Sequence, residues 1–131
     1  MLKNADITVI NIHKDRTGSQ YYKTQISGVW WYGGVLKSVG DKGLSNAETY
    51  RISIYEDSVF QTPYLPLKEW EKLEDKSAAW TLKPGDYICR GNVVEEIKTP
   101  SDFLSQYETA KIIGVKDLRF GLLPYWRIEG K

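Results

Sequence analysis

Residues 5–32, Ala5-Asp6-Ile7-Thr8-Val9-Ile10-Asn11-Ile12-His13-Lys14-Asp15-Arg16-Thr17-Gly18-Ser19-Gln20-Tyr21-Tyr22-Lys23-Thr24-Gln25-Ile26-Ser27-Gly28-Val29-Trp30-Trp31-Tyr32, decide the fold class. Ile7, Thr8, Val9, Ile10 and Ile12 make Ala5 to Lys14 a strand, because β-branched side chains suit a pleated surface. Asp15-Arg16-Thr17-Gly18-Ser19 has turn chemistry, with Gly18 able to take a positive φ. Tyr21 to Tyr32 supplies the second strand, so the whole stretch predicts a β-hairpin. Alternation in the first strand is imperfect. Ile7 and Val9 share one face while Ile10 and Ile12 fall on the other. Either both faces are partly covered or a bulge shifts the register near Ile10.

Outward from the hairpin the chain continues in short strand-like pieces. Val35 to Val39 suits a further strand, followed by a flexible Gly40-Asp41-Lys42-Gly43 turn. In Glu48 to Glu56, Thr49, Arg51, Ser53 and Tyr55 alternate with Tyr50, Ile52 and Ile54, the period of a half-buried strand. Asp57 to Leu67 carries Phe60, Pro63, Tyr64 and Pro66 and predicts a long exposed loop. Leu67 to Leu73 suits one or two helical turns. Trp80 to Gly91 reads as two short strands joined by a Pro84-Gly85 type II turn. Ser101 is a candidate N-cap for a short helix over Asp102 to Tyr107, and Lys111 to Asp117 and Pro124 to Glu129 give the last strands. The expectation is one all-β, mainly antiparallel domain over 1–131: a small barrel or sandwich with one or two short helices and a long loop. No long helices alternate with the strands, which disfavours a parallel α/β sheet.

Composition narrows the function. A formal net charge of +1 provides no long-range field to draw in nucleic acid or an anionic membrane. Cys89 is the one cysteine, so no intramolecular disulfide and no cysteine-rich zinc knuckle is expected. No apolar run nears the ~20 residues of a spanning helix, and Met1 to Asp6 lacks the layout of a signal peptide. These features predict a protein made and assembled inside the cell, with no membrane partner. Five Trp and nine Tyr are the unusual feature; rings of this kind suit strands and also interfaces.

Catalytic patterns are missing. A nucleophile needs a base within hydrogen-bond reach, and the single His, His13, has no sequence signal placing it near Cys89. Glu95 and Glu96 are adjacent in an extended segment and so face opposite ways. The glycines form no phosphate loop, because no Gly-Lys-Ser/Thr follows. Lys14, Arg16 and Lys23 make only a thin basic cluster. Hence no catalytic, cofactor or metal residues are expected. In Val29-Trp30-Trp31-Tyr32, alternation sends Trp30 and Tyr32 to one face and Trp31 to the other. Trp30, Trp31, Tyr32, Phe60, Tyr64, Tyr125 and Trp126 are the candidate protein-interface residues, since interface anchors are enriched in Trp and Tyr.

The segments Asn4-Ala5-Asp6-Ile7-Thr8, Asp41-Lys42-Gly43-Leu44, Trp80-Thr81-Leu82, Gly85-Asp86-Tyr87-Ile88 with Gly91, and Trp126-Arg127-Ile128 together resemble a family of small proteins from the head and tail assembly genes of tailed phages and prophages of Gram-positive bacteria. The resemblance implies a neck component: a head completion, stopper or adaptor subunit in a ring between portal and tail. Its partners would be further copies of itself, the portal or adaptor, and tail terminator or tail proteins. Genomic DNA would pass only through the lumen. The implied lumen-facing loop is Arg16, Thr17 and Gly18, or Asp57 and Ser58. Its place would be the virion neck, assembled in the host cytoplasm. Competing expectations are a tail terminator or other tail-associated protein, a single-stranded nucleic-acid-binding barrel, which near-neutral charge disfavours, and a small enzyme.

Overall fold

The computed structural model describes residues 3–35 and 48–131, and its longest feature is the hairpin. Strands β1 (Ala5–Asp15) and β2 (Gly18–Val35) pair antiparallel from Ala5↔Val29 to Asp15↔Gly18. Only Arg16 and Thr17 are left in the turn. Gly18 takes φ +128°, and the Asp15 carboxylate accepts from Thr17 N (2.8 Å) and Thr17 Oγ1 (2.6 Å). Those two bonds favour the ionised acid and hold the Asp15 carboxyl below its ordinary value.

No bulge lies near Ile10. Both faces of β1 are covered instead: Ile7 and Val9 enter the main core, while Ile10 joins Cys89, Val93 and Phe103 in a second cluster. The register of this pair shifts between Ala5 and Asp6, opposite Gly28 at φ +80°. There Asp6 Oδ1 accepts from Gly28 N at 3.2 Å. The shift marks where β2 changes partner. Below it β2 lies on β1; beyond it, Trp30 to Val35 pair with β3 (Glu48–Tyr55).

The remaining strands close a ring. β3 pairs with β7 (Tyr125–Gly130), β7 with β6 (Thr109–Asp117), β6 with β5 (Tyr87–Arg90), and β5 returns to β1, every pairing antiparallel. Strand β4 (Val59–Phe60) attaches to β2 at Ile26 and Ser27. The fold is therefore all-β and antiparallel, and it is a closed barrel and not a two-sheet sandwich. Alternate residues fill it: Ile52 and Ile54 from β3, Ile88 from β5, Ala110 and Ile112 from β6, Trp126 and Ile128 from β7.

Among the described residues two short α-helices, α1 (Leu67–Glu71) and α2 (Ser101–Leu104), and a 3-10 turn at Lys76–Ala78 flank the barrel. Ser101 is not the cap expected of it. Asp102 reaches back and accepts from Lys98 N (2.8 Å) and Thr99 N (3.0 Å), because its longer acidic side chain spans the Pro100 bend. The strand expected from Trp80 to Lys83 does not join the ladder either. Trp80 bridges only Tyr64, and the buried Asn11 amide does a strand's work. Asn11 Nδ2 donates to Thr81 O (2.8 Å) and Asn11 Oδ1 accepts from Thr81 N (3.2 Å). The Pro84-Gly85 turn forms, with Asp86 N donating to Lys83 O at 3.2 Å. Apart from Val35, the short strand expected to Val39 lies outside the described residues, as does the Gly40–Gly43 turn.

The segment expected to be a long exposed loop, Asp57 to Leu67, is a strap across the barrel. Its rings are the reason. Phe60 stacks on Trp80 at 5.6 Å between centroids, and Tyr64 meets Trp80 at 5.0 Å and Trp126 at 4.8 Å. Each such pair contributes about 0.5–1.5 kcal/mol beyond area burial, in addition to the β4 pairing with β2.

Candidate functional site

Strands β6 and β7 are joined by Leu118 to Pro124, and this loop carries three large exposed apolar side chains. Its base is fixed from several sides. Asp117 takes a bidentate grip on Arg119, from Nε at 2.8 Å and from a terminal nitrogen at 2.7 Å. That contact holds the Asp117 carboxyl below its ordinary value and raises the Arg119 guanidinium. The guanidinium carbon lies 4.6 Å from the Trp126 ring centroid and 5.0 Å from that of Tyr64. Leu118 N donates to Tyr125 O (2.9 Å), and Glu56 N to Pro124 O (3.1 Å).

Beyond this clamp the tip has nothing to pack on. Phe120 is 86% exposed, Leu122 101% and Leu123 59%. Single exposed apolar residues are ordinary; three large ones on one short, braced loop are not. Sequence reasoning overlooked them. The available signal was Phe120-Gly121-Leu122-Leu123-Pro124, an apolar run broken by Gly and Pro between two strands, where polar residues are the norm.

The rings expected at interfaces divide. Trp30 and Tyr32 lie on the outer face of β2 and stack at 6.5 Å with 12° between planes; Tyr32 is 60% exposed. Trp31 and Trp126 are corrections: both are buried, at 3% and 2% exposure. The strand period turns Trp31 inward against Tyr50, 5.2 Å away, and Trp126 inward against Trp80 at 5.3 Å. Phe60 and Tyr64 are half-buried and spend their faces on that same inner cluster. Tyr125 is half-buried beside Tyr55. Among the lumen candidates, Arg16, Thr17 and Gly18 form the exposed hairpin tip. Asp57 is exposed and pairs with Lys3 at 3.2 Å. Ser58 is a correction. It is buried, donating to Gly28 O (2.8 Å) and accepting from Tyr55 N (3.1 Å), so it closes the β3–β4 turn and faces no lumen.

A separate groove of about 540 Å³ runs beside the β1–β2 ribbon. Tyr21 and Tyr87, both half-buried, line it with the fully buried Trp70 behind them, and Lys14 and Lys111 stand along it. At its floor the buried Asp86 accepts from Asn11 Nδ2 (2.9 Å) and Ile12 N (3.2 Å) and pairs with Lys83. Burial pushes the Asp86 carboxyl up, opposed by the hydrogen bonds from Lys83 and Asn11. His13 also lines the groove, edge-on to Trp70 at 6.4 Å. Cys89 lies opposite Thr8, five residues along β1 from His13 and so on the order of 16 Å away. The two are not brought together. Burial pushes the Cys89 thiol up to about 11.

The described residues thus form a small closed antiparallel β-barrel that carries an exposed apolar loop tip and a separate groove with lysines along it. No helix among the described residues is long and apolar enough to cross a membrane. The chain belongs to the family of unknown function DUF6751, whose model matches residues 2–131. No curated protein and no solved structure matches it.

Proposed function

We propose that the chain is a structural subunit of a phage or prophage virion neck, forming a ring between the portal or adaptor and the tail. The observation that carries this reading is the braced tip with Phe120, Leu122 and Leu123 in water. A ring subunit must give each neighbour something to bury, and such a surface supplies it. The stacked Trp30–Tyr32 pair on β2 adds a second outward aromatic patch. The resemblance of the Asn4–Thr8, Trp80–Leu82, Gly85–Ile88 and Trp126–Ile128 segments to neck proteins supplies the biological setting.

In this reading the barrel is a rigid spacer and the loops make the contacts. Head-to-tail contacts between unlike surfaces close into a ring when the rotation between subunits allows it. The Arg16–Gly18 tip, exposed at the end of the long ribbon, is assigned to the lumen, where DNA passes. Assembly takes place in the host cytoplasm, and the chain performs no catalytic step. A tail terminator or other tail-associated protein is the neighbouring alternative within the same class.

Co-expression with the proteins of its neighbouring genes tests the proposal. Co-purification of a stoichiometric complex, with a ring of this chain visible by electron microscopy, is the expected result. A chain that binds none of them, and stays monomeric at high concentration, overturns it.

A further inference from the structure

We infer that the outer face of β2, β3 and β7 binds single-stranded nucleic acid, with one base held between Trp30 and Tyr32. This goes beyond the ring reading, which rests on the β6–β7 tip, and does not depend on it. The two rings stand two residues apart on one side of β2, where the strand repeat separates neighbours by about 6.6 Å. Their centroids are 6.5 Å apart and their planes lie within 12° of parallel. Stacked bases follow one another every ~3.4 Å, so a planar ring needs about twice that between its two neighbours. The spacing of the pair meets that need, and Tyr32 is 60% exposed.

The same face supplies charge for a phosphate backbone. Across the sheet Trp30 lies opposite Ser53, Ser53 opposite Arg127, and Arg127 opposite Lys116. In the next row Tyr32 lies opposite Arg51, and Arg51 opposite Glu129. Each ring therefore has an arginine close by: Arg51 one strand from Tyr32, about 4.8 Å, and Arg127 two strands from Trp30 across the small Ser53. Arg51 makes no ion pair among the described residues. Arg127 meets Glu129 only at 3.6 Å, and its Nε has no acceptor. Lys3 and Asp57 cancel beside the face, and with both Glu129 and Asp6, at the Gly28 corner, counted against Arg51, Arg127 and Lys116 it stays cationic. The formal net charge of +1 averages over the whole surface and hides this local excess. Rings that admit a base, beside guanidiniums that take its phosphates, are the two parts of a sequence-tolerant single-strand site. An acidic peptide would answer the cations and leave the ring spacing unused; a duplex keeps its bases stacked out of reach.

Fluorescence anisotropy of a labelled oligothymidylate of about ten nucleotides, titrated with the whole chain at low salt, tests the site. Saturable binding is expected, falling with salt at a log–log slope of about −1.4, the value for two phosphates neutralised on a single strand. Trp30→Ala and Tyr32→Ala should each weaken binding by about fivefold or more, whereas Tyr32→Phe, which keeps the ring, should retain it. Arg51→Glu should weaken binding and flatten the salt slope. Phe120→Ser with Leu122→Ser, on the tip, should bind as the parent chain does. Melting curves taken alongside establish that each variant is folded. The inference is overturned by the absence of saturable binding, or by binding that folded Tyr32→Ala and Arg51→Glu leave unchanged. It is equally overturned if a duplex of the same length, free thymidine monophosphate or a polyglutamate peptide binds the face as tightly as the strand. Each of these results leaves the ring reading standing, because that reading is tested on complexes with the neighbouring gene products.

Discussion

The Arg119 guanidinium carbon lies 4.6 Å from the Trp126 ring centroid, while Asp117 holds the same group with two hydrogen bonds. The exposed tip is thereby tied to the barrel interior, because the inner face of the same indole packs on Trp80.

Arg119→Ala should therefore loosen the tip as well as remove a charge. A cation–π contact at a partly covered site contributes about 0.5–2 kcal/mol, and urea unfolding should register a loss of that order. Arg119→Lys should recover little of it, since an ammonium cannot reproduce the planar two-point grip on Asp117.

The tip itself should be almost free of folding energy. Phe120→Ser combined with Leu122→Ser should change stability by no more than about 0.5 kcal/mol, as surface substitutions away from structural features do. The same variant should bind less of a fluorescent hydrophobic dye. A large loss of stability would mean that the tip packs on its own barrel.

Tryptophans on opposite sides of the wall should behave oppositely. Trp80→Ala opens a cavity where Phe60, Tyr64 and Trp126 converge and should cost about 3–5 kcal/mol. Trp30→Ala removes an outer stacking partner of Tyr32 and should cost about 1 kcal/mol or less. Calorimetric melting of the pair reads the contrast.

Asn11 substitutes for a missing strand, and its replacement should show how much that matters. Asn11→Ala leaves the Thr81 backbone and the Asp86 carboxylate each short of a partner. The expected cost is about 3 kcal/mol. Asn11→Asp places a second carboxylate against Asp86, whose carboxyl burial already pushes up. Repulsion needs both acids ionised, so this variant should regain stability as the pH is lowered, opposite to ordinary acid destabilisation.

Cys89 gives an alkaline signature. Burial pushes its thiol up to about 11 in the fold from an ordinary value of 9.0, so between those pH values the folded chain holds the proton that the unfolded chain releases. Stability then falls as pH rises through that window, by roughly 1.4 kcal/mol per unit of pKa difference. Cys89→Ala should remove this component of the pH profile. At neutral pH the native thiol should resist alkylation and react only as fast as the chain opens.

Much of the architecture could be read from residues. The Ala5–Tyr32 hairpin, the Glu48–Glu56 strand, the Pro84-Gly85 turn and the last two strands follow from alternation and turn chemistry, which act over a few neighbours. Ring closure does not follow from such patterns, because it depends on β5 returning to β1 across eighty residues of chain. Nor does the fate of each ring. Alternation separates Trp31 from Trp30 and Tyr32 but cannot say which side is the core; only the neighbours β3 and β7 bring do. Likewise, Phe60 and Tyr64 read as an exposed loop until Trp80 and Trp126 are placed beneath them. The sequence by itself determined which segments are extended, since that is a local steric preference. Only the tertiary structure decided which aromatic side chains stay in water, since burial belongs to the pair of surfaces that meet and not to either strand alone.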